Sequence, residues 1–76
     1  MGKGKANIAN TIRTLRFHAN EMTQADLAEK VGVSRQTILA MEQGRYSPSL
    51  EVAFRVARVF GVSIEEVFQY EGDLPS

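Results

Sequence analysis

Apolar residues recur at helical spacing through most of the chain, and the polar residues between them punctuate it into five short segments. Ile8, Ile12 and Leu15 stitch a helix predicted from Asn10 to Ala19. Leu27, Ala28 and Val31 give a second from Gln24 to Val31, and Ile38 and Met41, three apart, a third from Arg35 to Gln43. A fourth runs from Leu50 to Phe60 and a short fifth from Ile64 to Phe68. Thr23 with Asp26 and Ser63 with Glu66 have capping-box spacing, Ser34 and Ser49 are N-cap candidates, and a glycine or proline stands near the segment ends. The fold class expected is all-α, a compact bundle of five helices. Ala6–Ala9 and Val67–Tyr70 also alternate well enough to pair as two short strands joining the termini.

Two helices carry more than a core stripe. In the stretch GVSRQTILAMEQG, Ile38 and Met41 face one way, while Arg35, Gln36, Leu39, Ala40 and Gln43 fall on the other side. A solvated face usually carries Glu and Lys, so this one is suited to docking. The fourth helix has its charges, Glu51, Arg55 and Arg58, on one narrow strip. Leu50, Ala53, Phe54, Ala57 and Phe60 form one apolar face and Val52, Val56 and Val59 a second, continued by Val62, Ile64, Val67, Phe68 and Tyr70. Either all of this packs inside one subunit or part of it is a self-association surface.

Composition sharpens the second possibility: 76 residues bury a thin core, and small domains often gain stability by forming dimers. With no cysteine, disulfides and thiolate metal sites are excluded. No apolar run reaches a membrane span of about 20 residues, MGKGKA lacks a signal core, and Ala6 spoils a myristoylation pattern. A cytoplasmic location is the expectation. Net charge is zero, but the chain carries seven basic against four acidic residues up to Arg45 and two against five beyond it. The imbalance is either a polarity of the molecule or the uneven scatter of a short chain. His18 stands alone as a surface residue at a helix end. No nucleophile–base pair, metal cluster or phosphate loop suggests an enzyme, a cofactor or a small-molecule ligand.

From Gln24 to Gly44 the apolar and small residues have a particular order. Ala28 lets a following helix cross closely, Gly32 takes a tight turn that favours positive φ, and Ile38 and Met41 plug the next helix against the first. So short a connection holds the second helix away from the body, as in a helix-turn-helix whose projecting helix enters the major groove. The sequence TQADLAEKVGVSRQTILAMEQGRYSPSLEVAFRVARVFGVSIEEVF resembles the Cro and phage-repressor type of helix-turn-helix regulator, and most of all its minimal single-domain members.

The resemblance covers about Ile8 to Tyr70 and implies a lambda-repressor-like five-helix fold, a homodimer and a two-fold symmetric operator in double-stranded DNA. It divides the chain into a flexible basic arm (1–6), a DNA-binding domain with C-terminal dimerisation elements (7–70) and a tail (71–76). Base reading falls to Arg35, suited to guanine O6 and N7, to Gln36, suited to adenine, and to Leu39 and Ala40. Many relatives place polar residues where Leu39 and Ala40 stand, so these two either touch thymine methyls or are idle. Gln24, Ser34, Thr37, Gln43, Arg45 and Tyr46 match positions that hold the DNA backbone. Arg16 and Glu42 match a structural ion pair, although the segment from Arg16 to Gln24 is one residue longer than the common pattern. Val59, Val62, Ile64, Val67, Phe68 and Tyr70 are the expected dimer interface. The function expected is a transcriptional regulator, most often a repressor in proteins of this build. The rival is a protein-interaction module, an antitoxin or adaptor, using the apolar fourth and fifth helices on another protein.

Overall fold

The computed structural model describes residues 7–73, and the Lys3 and Lys5 arm and residues 74–76 of the expected tail lie outside them. The chain runs β1 (Ile8–Asn10), α1 (Ile12–His18), α2 (Gln24–Val31), α3 (Arg35–Glu42), α4 (Leu50–Phe60), α5 (Ile64–Val67) and β2 (Phe68–Tyr70). Capping chemistry explains why the helices start where they do. Thr23 and Ser63 form full capping boxes with Asp26 and Glu66, while the Ser34 and Ser49 hydroxyls accept the Thr37 and Val52 amides. The Asp26 carboxyl is held below its ordinary value of 3.8, first by the Thr23 amide and then by the Thr23 hydroxyl. Its contribution to stability is therefore present above that ordinary value and fades as pH falls through the lowered one.

β1 and β2 pair antiparallel, with Ile8 opposite Tyr70, Ala9 opposite Gln69 and Asn10 opposite Phe68. The N-terminal strand starts two residues later and ends one residue later than the alternation predicts, and the pairing shortens both neighbouring helices. Asn10 is drawn into the strand, where its Oδ1 accepts the Ile12 amide at 3.1 Å and starts α1 two residues late. Its Nδ2 donates to the Met41 carbonyl at 2.8 Å, which ties the sheet to the end of α3.

Ile12, Leu27, Val31, Ile38, Met41, Val56 and Val67 make the fully buried centre of the core. Burying each contributes roughly 1.5–3 kcal/mol. Val67 therefore drops out of the expected dimer surface, because it faces inward from α5 with nothing left to offer a partner. Val59, Val62, Ile64 and Phe68 are half-buried against the same core, and only Tyr70 of that set is exposed. On α4 the buried face is Ala53, Val56 and Ala57. Leu50, at 69% exposure, and Phe54, at 53%, are the large apolar side chains left facing outward.

The connection from α1 to α2 accommodates its extra residue by left-handed backbone. Asn20 and Glu21 have φ of 58° and 55°, a conformation that costs about 1–2 kcal/mol for a residue with a Cβ and less for Asn. Arg16 closes this loop: its carbonyl accepts the Ala19 and Met22 amides, and its Nη1 donates to the Met22 carbonyl at 2.8 Å.

Candidate nucleic-acid interface

α2 ends in a left-handed Gly32, φ 87°, whose amide and that of Val33 both donate to the Ala28 carbonyl. A side chain there would be strained by the backbone angle itself. Two residues later Ser34 caps α3, so only residues 32–34 separate the two helices. Ile38 and Met41 lie inside, at 0% and 2% exposure. Arg35 and Gln36 stand exposed at the start of α3, and Leu39 and Ala40 are half-buried further along.

The Ser34 hydroxyl accepts the Thr37 amide at 3.1 Å and shares a hydrogen bond with the Thr37 hydroxyl at 3.0 Å. One of the two hydroxyl protons is left for an outside acceptor. Beyond α3 the Gly44 amide bonds to the Met41 carbonyl and the Arg45 amide to the Ala40 carbonyl. Gln43, Arg45 and Tyr46 follow, all exposed, as a loop leading into α4.

Charge at this surface is set by which groups are already paired. Glu42 is taken up by Arg16: Nε meets Oε2 at 2.7 Å and Nη2 meets Oε1 at 3.1 Å, with side-chain exposures of only 14% and 9%. Gln24 belongs to the same cluster, its Nε2 donating to Glu42 Oε1 at 3.1 Å. The amide expected to hold a phosphate is thus half committed, with one N–H and its carbonyl oxygen free. By contrast, among the described residues neither Arg35 nor Arg45 has a carboxylate partner. The face of α3 and its following loop is consequently cationic although the whole chain is neutral.

Two side chains that the sequence pattern does not single out also hold this unit. Asn10 fixes the end of α3 through the Met41 carbonyl, and Arg55 of α4 reaches the Val31 carbonyl at the end of α2, 3.1 Å away. Only the spacing of Glu51 and Arg55 is visible in the sequence; the carbonyl partners are set by tertiary packing. His18 is exposed, edge-on to Phe17. Among the described residues no group of His, Asp and Glu could hold a metal ion. None of the described helices is long and apolar enough to cross a membrane.

A second surface lies apart from α3. Leu50 and Pro48 at the start of α4, Ile64 of α5, and Ile8, Phe68 and Tyr70 of the sheet line a shallow apolar groove. Phe54, one turn along α4 from Leu50, is exposed outside the groove's lining, beside Glu51 and Arg58.

Residues 12–67 match the helix-turn-helix family model. An uncharacterized HTH-type transcriptional regulator of Methanocaldococcus jannaschii is 59% identical over 54 residues, covering 71% of this chain and 82% of that protein. The transcriptional repressor RstR of the cryptic phage CTXphi, from Vibrio cholerae, is 37% identical over 59 residues, covering 78% of this chain and 52% of the repressor. Among solved structures, a Bacteroides fragilis protein provisionally assigned to DNA binding superposes with a TM-score of 0.70 at 26% identity, over 82% of this chain and 98% of that one.

Proposed function

The chain belongs to the helix-turn-helix family, whose members are DNA-binding regulators and not enzymes, and on that premise we propose that it represses transcription as a homodimer on a two-fold symmetric operator. The observation that carries the reading is the division of α3. Its inner face is plugged into the core by Ile38 and Met41, and its outer face presents Arg35, without a carboxylate partner among the described residues, beside Gln36. A guanidinium and a carboxamide on a projecting helix match the donor and acceptor pattern of guanine and adenine in the major groove. Gln43, Arg45, Tyr46 and the free proton of the Ser34–Thr37 pair then hold the backbone and fix register. Repression is supported by the likeness to a phage repressor.

Selection of bound sites from a random DNA pool tests this directly. The expected product is two inverted half-sites about one helical turn apart. Arg35→Ala is expected to weaken binding to the selected operator by about 1–3 kcal/mol and to relax preference at one base position. An equal loss on random DNA would remove Arg35 as a reader.

Two half-sites need two copies, and the apolar groove with Leu50 is the surface we assign to the second. It runs between the start of α4, α5 and the sheet, with Leu50 and Tyr70 exposed along it, and the same patch on each subunit makes a closed two-fold contact. Leu50→Glu is expected to convert the dimer to monomer in sedimentation, with subunit stability within about 0.5 kcal/mol because the side chain is exposed. A variant that stays dimeric would move the interface elsewhere.

A further inference from the structure

α4 crosses behind the helix-turn-helix and carries a side chain that the proposed DNA contacts do not use. Arg55 Nη1 donates to the Val31 carbonyl at 3.1 Å, and its Nη2 meets Glu51 Oε2, one turn earlier on α4, at 2.7 Å. Val31 ends α2, where a helix leaves its last carbonyls without partners and favours a cation. None of the amides that follow donates to it among the described residues: those of Gly32 and Val33 bond to the Ala28 carbonyl, and those of Ser34 and Arg35, the ones placed to close a turn, make no bond to it. Only the Arg55 guanidinium does so among the described residues. A Cβ built on Gly32 would lie 3.5 Å from the same Nη1, so the guanidinium rests directly against the turn. Its planar fork points to two partners at once, which a lysine ammonium on a flexible stem does less well.

The helix pair is therefore held at both ends from outside. Arg16 of α1 holds the end of α3, and through Glu42 the start of α2; Arg55 of α4 holds the end of α2, within four residues of Arg35. We infer that Arg55, braced by Glu51, is a positioning residue for operator discrimination. It fixes the turn from Gly32 to Ser34 and so aims Arg35 and Gln36 at base edges. This rests on the DNA-binding reading above. The Arg55 and Glu51 side chains are 48% and 75% exposed, so the pair adds little to global stability and its effect is on aim.

Glu51→Gln and Arg55→Gln test this because they change net charge in opposite directions while releasing the same contact. Three quantities are measured: affinity for the selected operator, affinity for random DNA, and hydrogen exchange at the Gly32 and Val33 amides. Both variants are expected to lower the operator-to-random ratio by about tenfold, the scale of one good base contact. Both are also expected to speed exchange at Gly32 and Val33 while the thermal midpoint stays near that of the wild type. If Arg55→Gln weakens and Glu51→Gln strengthens binding to both DNAs alike, the pair acts through charge only and the inference is overturned. Unchanged exchange at Gly32 and Val33 overturns it too. A wild-type protein with no operator preference defeats the DNA reading and takes this inference with it; a wild-type preference that both variants retain overturns the inference alone.

Discussion

Glu42→Ala is expected to lower the thermal midpoint by roughly 12–24 °C, the consequence of removing about 3 kcal/mol from a small domain. The carboxylate has three donors around it: Arg16 Nε and Nη2, and Gln24 Nε2. Its removal leaves a guanidinium of 14% exposure without its counter-ion, held only by the Met22 carbonyl. Uncompensated charge at that depth costs far more than a surface pair is worth, and the little solvent that reaches it keeps the loss near the lower end of the usual range. A chain of 76 residues holds roughly 4–11 kcal/mol in all, so the variant is expected to sit near its folding threshold. Replacing both partners, Arg16→Met with Glu42→Leu, should recover most of the loss, because no charge is then stranded. Full recovery is not expected, since the Met22 carbonyl also loses its donor. Thermal melts of the single and double variants by circular dichroism give the comparison. A single variant that melts like the wild type would mean the pair contributes nothing.

The cluster also shows what could be read from residues alone. Helix bounds governed by local chemistry were legible: Thr23 and Ser49 open α2 and α4, and Gly32 and Gly61 close them, where the pattern places them. Bounds set by distant partners were not. Asn10 belongs by pattern to a helix, but Phe68 across the sheet and the Met41 carbonyl take it out. The same limit applies to the surfaces. Periodicity separates the faces of α4 without saying which one the rest of the chain covers. The structure covers Ala53, Val56 and Ala57 and leaves Leu50 and Phe54 outside, while Val67, counted with the surface, lies in the core. On α3 the division was legible from the three-residue spacing of Ile38 and Met41, with Arg35, Gln36 and Gln43 on the other side, whereas Gln24's bond to Glu42 joins two helices and leaves no trace in the spacing.

That division of α3 makes two neighbouring substitutions behave differently. Ile38 is fully buried among residues of the core cluster. Ile38→Ala removes its contacts and leaves a cavity, at a cost of about 2–5 kcal/mol, while Ile38→Val should cost only about 0.5–1.5 kcal/mol. Because Ile38 is also the plug that sets α3 against α2, the alanine variant is expected to lose operator and random-DNA binding together as the domain opens. Leu39 lies one residue on and half exposed, and its removal should cost less than about 1 kcal/mol of stability. If Leu39 packs on a thymine methyl, its effect lies in preference instead: replacing the contacted thymine by deoxyuridine should weaken wild-type binding and leave Leu39→Ala indifferent. Denaturant melts and binding titrations on the two operators measure both residues. Equal stability losses for Ile38→Ala and Leu39→Ala would mean that α3 is not divided as described, and a wild type indifferent to the missing methyl would make Leu39 idle.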